Sequence, residues 1–200
     1  GSIKVRGNEV TTLSNRQVPK LRRNIGIVFQ DFRLLPKKTV YENVAFAMEI
    51  IHQPKKLIRK YVPQVLSMVG IASKADKYPD ELSAGEQQRV AIARAIVNKP
   101  RILIADEPTG NLDPDTAWEI MQLLDQINMR GTTIVMVTHA KDIVDKMGKR
   151  VIAIEKGRIV RDEFGAYGYE EALAEMEMTD DTLQSKRTFR SRFRRGGDEW

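Results

Sequence analysis

Two adjacent carboxylates, Asp106 and Glu107, follow a run of four apolar residues at 102–105. An uninterrupted apolar run of this kind is typical of a strand that is buried on both faces, as in a parallel sheet. The carboxylates then lie at the carboxyl end of the strand, where open α/β sheets bind their ligands. Because one carboxylate can bind Mg²⁺ while the other orients and activates a water molecule, the pair suits a site for a magnesium-bound nucleotide. An acidic turn after a buried strand explains the same residues equally well.

Single polar residues follow two further predicted strands. Gln30 stands directly after the apolar segment at 25–29, and His139 lies two residues beyond a predicted strand at 132–137. Strands alternate with helices through short connections, which indicates right-handed crossovers and a mainly parallel sheet. Since the carboxyl ends of parallel strands share one edge, we expect Gln30, the Asp106–Glu107 pair and His139 to form one site.

The segment that begins at Ser83 carries the signals of a capped helix. Ser83 can cap the helix and Glu86 can close a capping box, and buried positions continue to about Asn98. A helix N-terminus binds anions through its free N–H groups, and Gly85 would let the backbone approach a ligand closely. An ordinary capped helix is the simpler explanation of this pattern taken by itself.

The remaining elements are predicted from hydrophobic spacing and from capping and turn residues. A second capping box, Thr39 with Glu42, opens a helix, and Pro63 should kink or split the helix that follows. The other predictions are a hairpin at 1–10, a short basic helix or turn at 16–23, helices at 54–70, 115–128 and near 143, and a hairpin at 151–160.

The composition is that of a globular domain. Two hundred residues with 42% hydrophobic and 30% charged side chains suffice for one α/β domain with a sizeable core. The absence of cysteine excludes disulfides and thiolate metal sites, and no apolar run is long enough to span a bilayer. We therefore expect a cytoplasmic location. The net charge of +6 suits an anionic membrane surface or nucleic acid only weakly.

The order of these motifs resembles that of the ATP-binding-cassette (ABC) ATPases. The matching stretches, in chain order, are Gln30 after a strand, LSAGEQ at 82–87, ILIADE at 102–107, NLD at 111–113 and VTH at 137–139. In that family they are the Q-loop, signature, Walker B, D-loop and switch histidine. The resemblance implies an α/β fold of the P-loop NTPase type, with a mainly parallel sheet and a helical subdomain inserted at about 39–98. It also implies an ATPase that uses ATP and Mg²⁺.

The resemblance gives a role to each residue at the predicted sheet edge. Asp106 would hold Mg²⁺ and Gln30 would complete the shell of the metal. Glu107 would orient and deprotonate the attacking water, and His139 would donate to the γ-phosphate. Phosphoryl transfer depends on such positioning more than on covalent chemistry, so residues from several loops can share the work.

A second copy of the chain would complete the site. By the resemblance, Ser83 and Gly85 would clamp the γ-phosphate that the opposite subunit holds, and Asp113 would reach across the dimer. Ala84 replaces a glycine that is common in the family signature, and with Glu86 it completes the predicted nucleotide-binding stretch. The implied assembly is a homodimer that sandwiches ATP.

One motif of the family does not occur in these 200 residues, namely the phosphate loop Gly-x-x-x-x-Gly-Lys-[Ser/Thr]. The resemblance therefore predicts an ABC ATPase domain at 1–169 that lacks its N-terminal part. We expect the 200-residue chain alone to bind Mg-ATP weakly and to be inactive. The reason is that the β-phosphate would lose a cradle of N–H donors and a lysine.

Longer stretches are similar to the bacterial cell-division ATPases within the family. They lie at 29–36, 39–44, 106–113 and 157–163, with a Tyr-Gly-Tyr at 167–169. The similarity implies an integral membrane partner, a peripheral position on the cytoplasmic face of the cell membrane, and no nucleic-acid partner. Lipoprotein-release and macrolide-exporter ATPases share the first three stretches more loosely. A soluble ABC protein acting on DNA or ribosomes, and a non-catalytic interaction module, are further alternatives.

The segment at 170–200 has an acidic half followed by a basic half. Phe189 and Phe193 stand among the basic residues. Basic residues interleaved with aromatic ones can bind an anionic leaflet. A solvated and flexible tail explains the composition more simply.

Overall fold

The computed structural model describes residues 1–5 and 7–164. It divides into two compact units, one at 1–139 and another that begins at Ala140. The acidic-then-basic segment at 170–200 lies outside the described residues. The domain boundary after 169 and the limits of a helical subdomain at about 39–98 stay predictions.

The first unit contains strands and helices in the predicted order. Its strands are β1 (Lys4–Val5), β2 (Asn8–Glu9), β3 (Ile25–Val28), β4 (Ile102–Asp106) and β5 (Thr133–Val137). Its helices are α1 (Val18–Arg22), α2 (Val40–Glu49), α3 (Lys55–Met68), α4 (Ala84–Ile96) and α5 (Pro114–Met129). Short 3₁₀ turns lie at Ala72–Lys74 and Pro79–Glu81. Strands β1 and β2 form the predicted N-terminal hairpin.

Strands β3, β4 and β5 form a parallel sheet in that order. Ile27 pairs with Ile104, which pairs with Val135 on the far strand. Asp106, the last residue of β4, pairs with Val137, the last residue of β5. The predicted mainly parallel sheet is therefore confirmed, and its strands end at one edge.

The sheet buries one face more completely than the other, so the prediction that β4 is buried on both faces is wrong. Leu103 and Ala105 are fully buried, whereas Ile104 on the opposite face is half-buried. Neighbours of Ile104 on that face are about half exposed: Ile27 45%, Val135 50% and Val137 55%. Helix α4 covers the first face, where a Cβ on Gly26 would lie 2.6 Å from the carbonyl oxygen of Ala95. An apolar run identifies a strand but not which face a helix covers.

Helices α2, α3 and α4 pack against one another. Their shared core includes Val44, Val62 and Val90, which are fully buried. Helix α2 begins with the predicted capping box: Thr39 Oγ1 accepts a hydrogen bond from the N–H of Glu42, and the N–H of Thr39 donates to the Glu42 carboxylate at 2.8 Å. The second capping box, at α4, lies at the candidate site.

Helix α3 continues across Pro63, so the predicted split does not occur. Proline deprives the carbonyl of Arg59 of its helical donor, which normally breaks or kinks a helix. Both Pro63 and Arg59 are exposed. Water can therefore reach the carbonyl of Arg59, and the apolar face of the helix keeps its packing through Ile58, Val62 and Leu66.

A fully buried asparagine joins α2 to the loop that precedes it. The Oδ1 atom of Asn43 accepts a hydrogen bond from the N–H of Leu35 at 2.8 Å. The two N–H groups of its Nδ2 atom are shared among the carbonyls of Leu35, Lys38 and Thr39, at 3.1, 2.9 and 3.0 Å. One side chain thus bonds to the backbone of Leu35, Lys38 and Thr39, the part of the loop that leads into α2.

The second unit contains α6 (Lys141–Met147) and an antiparallel hairpin of β6 (Arg150–Glu155) and β7 (Arg158–Phe164). The hairpin turns at Lys156 and Gly157, as predicted, and both residues are left-handed. Its second strand is longer than predicted. Across residues 1–5 and 7–164, no helix combines the length and the apolarity that crossing a membrane requires.

Candidate functional site

Glu107 stands at the edge where β4 and β5 end. Its N–H donates to the carbonyl of Val137 at 2.9 Å, and its own backbone is left-handed, with φ at 45°. One carboxylate oxygen lies 2.6 Å from Nδ1 of His139, and the other accepts from Oγ1 of Thr138 at 3.4 Å. Such backbone strain in a non-glycine residue costs about 1–3 kcal/mol and is concentrated at functional sites. The side chain of Glu107 is mostly buried, whereas that of His139 is largely exposed.

Gln30 reaches the same edge from β3. Its carbonyl accepts a hydrogen bond from Nδ2 of Asn111 at 3.1 Å. Its side-chain Nε2 lies beside Gly110, 3.3 Å from the position that a Cβ would occupy there. The structure therefore brings Gln30 to the loop that follows Glu107, and Asp106 presents an exposed carboxylate at the end of β4. The chemical roles of these residues stay predictions.

The N-terminus of α4 has the predicted capping box. The N–H of Glu86 donates to Oγ of Ser83 at 3.3 Å, and the N–H of Ser83 donates to the Glu86 carboxylate at 2.9 Å. Ser83 and Ala84 are exposed, but Gly85 is buried. A Cβ on Gly85 would overlap Cγ2 of Thr116 on α5. In this chain, packing against α5 leaves no room for a Cβ at residue 85 unless the Thr116 side chain moves.

Replacing Gly85 by alanine is expected to destabilise the first unit by about 1–3 kcal/mol, the usual cost of overpacking a filled site. The added methyl would meet the Thr116 methyl, which Thr116→Ser removes. We therefore expect Thr116→Ser to recover most of the loss in the double variant. Denaturant unfolding of the two single variants and the double variant measures this coupling. Strictly additive losses would show that the two side chains do not meet.

Two carboxylates of the predicted nucleotide-binding set bond within their own chain. The Ser83 N–H holds the pKa of Glu86 below its ordinary value, and Lys74, 3.6 Å from the carboxylate, adds to that effect. The carboxylate of Asp113 caps α5 by accepting from the N–H of Thr116 at 3.0 Å, which lowers the pKa of Asp113. Both groups are therefore charged at neutral pH, and Asp113 lies one helical turn from the contact with Gly85.

Sequence reasoning missed a buried glutamine that links α4 to the sheet edge where Glu107 lies. Gln88 is fully buried, and its Nε2 donates to the carbonyl of Pro108 at 2.7 Å. Pro108 directly follows Glu107, so this bond connects the helix that begins at Ser83 with the loop that carries Glu107. The available signal was a polar residue at a buried position of an otherwise apolar helical face.

The donor set at the edge fits a magnesium ion in its chemistry. Among the described residues, no group of three or more His, Cys, Asp and Glu side chains could form a protein-only metal site. Mg²⁺ in nucleotide sites does not need one, because it keeps several waters and takes its other ligands from one or two side chains and from phosphates. The exposed carboxylate of Asp106 and the amide of Gln30 are oxygen donors of that kind.

The parallel sheet, the capped helix and the residues at the strand ends define an ATPase domain of the ABC transporter class. A family model described as ABC transporter matches residues 1–110, and the chain belongs to this family. Among its relatives is the cell division ATP-binding protein FtsE of Streptococcus pneumoniae, which is 58% identical over 172 residues, or 86% of this chain and 75% of the relative. FtsE of Bacillus subtilis is 59% identical over 169 residues, covering 84% and 74%.

A transporter ATPase is less similar. The methionine import ATP-binding protein MetN of Escherichia coli O157:H7 is 44% identical over 164 residues, which cover 82% of this chain and 48% of that relative. A solved structure, the ATP-binding cassette MJ0796 as a dimer bound to ADP and Pi, superposes with a TM-score of 0.72 at 36% identity, covering 84% of this chain and 75% of that one. The predicted family and fold class are confirmed.

Proposed function

We propose that this chain is the ATP-hydrolysing subunit of a membrane-associated ABC complex that acts in bacterial cell division. The observation that carries the proposal is Glu107, held left-handed at the end of β4 with its carboxylate 2.6 Å from His139. A carboxylate in that position suits the activation of water at a terminal phosphate. The similarity to two FtsE proteins supports the assignment to cell division over methionine import.

In the proposed reaction, Glu107 orients a water molecule and accepts its proton as the water attacks the γ-phosphate of ATP. Thr138 and His139 hold the two carboxylate oxygens of Glu107. Because the Glu107 carboxylate can only accept, Nδ1 of His139 donates to it, and the other ring nitrogen can donate to the γ-phosphate only when the imidazole carries a proton on both nitrogens. These two contacts, with the bond from the Glu107 N–H to the carbonyl of Val137, hold the carboxylate before substrate arrives, so less reorganisation is needed in the transition state.

Asp106 and Gln30 would hold Mg²⁺, which supplies positive charge to the phosphate oxygens when it is bound. Asp106 contributes the carboxylate and Gln30 the amide oxygen. The bond from Asn111 to the Gln30 carbonyl fixes the backbone of Gln30, so its side chain stays beside Gly110.

The proposed active form is a homodimer with ATP between two copies. Ser83 and Ala84 are exposed at the start of α4, where free N–H groups and a partial positive charge suit a phosphate of the opposite subunit. Asp113 caps the start of α5, close to the start of α4. In the proposed dimer it would lie near the nucleotide site of the opposite subunit. The dimeric ABC cassette among the structural relatives supports this arrangement.

The proposed membrane partner is an integral protein like FtsX, which would place the subunit on the cytoplasmic face of the membrane. A groove of about 660 Å³ lies beside the loop that follows Gln30. Its apolar lining includes Phe29, Leu35, Phe46, Ile50 and Ile51. Phe32 and Leu34, in the same loop, are half-buried and do not line the groove. Exposed apolar surfaces of this kind mark interfaces.

Ile50→Ser is expected to abolish co-purification with the FtsX-like partner while leaving the fold intact. Ile50 is 59% exposed, so its loss removes contact area from the groove without opening the core. Met129→Ser is the matched control, because Met129 is 77% exposed on α5 and does not line the groove. A complex that survives Ile50→Ser as well as it survives Met129→Ser would place the partner elsewhere.

Phosphate release tests the proposed activity in a chain that has a phosphate loop. The extended chain is defined here as residues 1–200 joined at Gly1 to the N-terminal segment of Bacillus subtilis FtsE. We expect it to hydrolyse ATP with Mg²⁺, and we expect the 200-residue chain to do so weakly or not at all. It should co-purify with the FtsX-like membrane partner. A folded extended chain that binds ATP and does not hydrolyse it would refute the proposed enzyme.

A further inference from the structure

Arg94 on α4 is joined to the loop that follows Gln30. Its Nη1 donates to the carbonyl of Arg33 at 2.5 Å, and its Nη2 donates to the carbonyl of Phe32 at 2.8 Å. The two nitrogens of a planar guanidinium have the fixed spacing that two successive carbonyls need. Arg94 therefore makes a two-point contact between the helix that begins at Ser83 and the loop of Gln30.

The loop takes a conformation that neighbouring contacts must maintain. Phe32 and Arg33 are consecutive left-handed residues, with φ at 58° and 47°, although neither is glycine. The N–H of Phe32 bonds to the carbonyl of Phe29, and the N–H of Arg33 to that of Asp31. The side chain of Arg33 folds back over the ring of Phe29 at 3.9 Å and pairs with Asp31. Bulky residues in this region persist only where the surrounding structure holds them.

The guanidinium of Arg94 is partly buried, and its hydrogen-bond partners are the two loop carbonyls. Burial lowers the pKa of Arg94, which means that its charged form is partly desolvated. Within residues 1–5 and 7–164, no carboxylate forms an ion pair with it. The guanidinium is instead compensated by the two loop carbonyls. A desolvated charge is costly without such partners, so α4 and the loop are held together.

The opposite end of the loop is held to the catalytic edge. Asn111 donates to the carbonyl of Gln30, two residues before Phe32. The loop therefore spans from the segment that follows Glu107 to a rigid helix whose first turn carries Ser83 and Gly85. A displacement of α4 relative to the sheet must pull on the carbonyls of Phe32 and Arg33.

We infer that Arg94 is a positioning residue that couples the placement of α4 to the placement of Gln30. Gln30 is then correctly positioned to help hold Mg²⁺ only when α4, which begins next to Ser83, is correctly positioned against the sheet. The coupling itself rests on the geometry around Arg94, and its catalytic consequence rests on the proposed ATPase function.

Hydrogen exchange of the 200-residue chain tests the coupling without any need for activity. We expect Arg94→Gln to speed exchange of amides at 29–36 by about tenfold, the consequence of losing a charge-assisted contact, while the amides of α4 stay protected. Arg89→Gln is the matched control, because Arg89 lies on the same helix and bonds to Val69 and Glu119 instead. Unchanged exchange at 29–36, or equal loosening of α4, would overturn the inference.

Kinetics of the extended chain test the consequence for Gln30. We expect Arg94→Gln to lower kcat about tenfold and to raise the Mg²⁺ concentration for half-maximal rate, with KM for ATP within about twofold. Arg94→Lys should recover part of the rate, since one ammonium can satisfy one carbonyl. A role in stability alone would lower Tm and leave kcat and the Mg²⁺ dependence of the folded enzyme unchanged, which would overturn the inference.

If the parent extended chain is inactive, the proposed function fails, and the hydrogen-exchange result still decides whether Arg94 couples α4 to the loop.

Discussion

Glu107→Gln in the extended chain is expected to abolish turnover while ATP binding persists. The amide is nearly isosteric with the carboxylate, so the contacts of residue 107 with Thr138 and His139 can be kept in similar geometry. What is lost is the group that takes the proton of the attacking water, a contribution of typically 10²–10⁴-fold in rate. Because hydrolysis would normally open the ATP sandwich, the variant should accumulate as an ATP-bound dimer. Phosphate release and size-exclusion chromatography with ATP measure both effects.

Asp106→Asn is the comparison that separates the base from the metal ligand. Asp106 lies one residue earlier, at the exposed end of β4, and its side chain is proposed to hold Mg²⁺. This variant should weaken Mg²⁺-dependent ATP binding itself, so that no dimer accumulates. A Glu107→Gln chain that stays monomeric with ATP, or that hydrolyses ATP near the parent rate, would remove Glu107 from the proposed role.

Asn43→Ala is expected to lower the free energy of unfolding by about 2–4 kcal/mol, because buried backbone groups left without partners cost about 1–3 kcal/mol each. The change removes all four bonds between this side chain and the loop at 35–39. The N–H of Leu35 and the carbonyl of Lys38 would be the most affected. Denaturant titration measures the loss, and hydrogen exchange at 34–39 should show where it occurs.

Asn98→Ala is the matched control for that experiment. Asn98 is half-buried and makes one side-chain bond, from Nδ2 to the carbonyl of Ala47 at 2.7 Å. We expect its loss to cost about 1 kcal/mol, as for a typical single hydrogen bond. If Asn43→Ala is no more destabilising than Asn98→Ala, water replaces the amide of Asn43 and the loop does not depend on it.

The sequence alone determined the elements and the residues that stand at their ends. Apolar runs defined β3, β4 and β5, and capping boxes defined where α2 and α4 begin, because these signals lie within a few neighbouring residues. The helices predicted between successive strands then required parallel strands, which placed Gln30, Asp106, Glu107 and His139 at one edge. The order of the motifs along the chain was enough to identify the family, because that order can be determined without knowledge of tertiary contacts.

The tertiary structure alone decided how those ends are held. Gln88 and Arg94 bond to backbone carbonyls that lie 20 and 62 residues away along the chain. Every residue carries a carbonyl, so the identity of the partner leaves no trace in the sequence. The need for glycine at residue 85 likewise comes from Thr116, which reaches it only after α4 and α5 have packed. Local patterns fix which side chains can do chemistry, whereas long-range backbone contacts and close packing fix where those side chains stand.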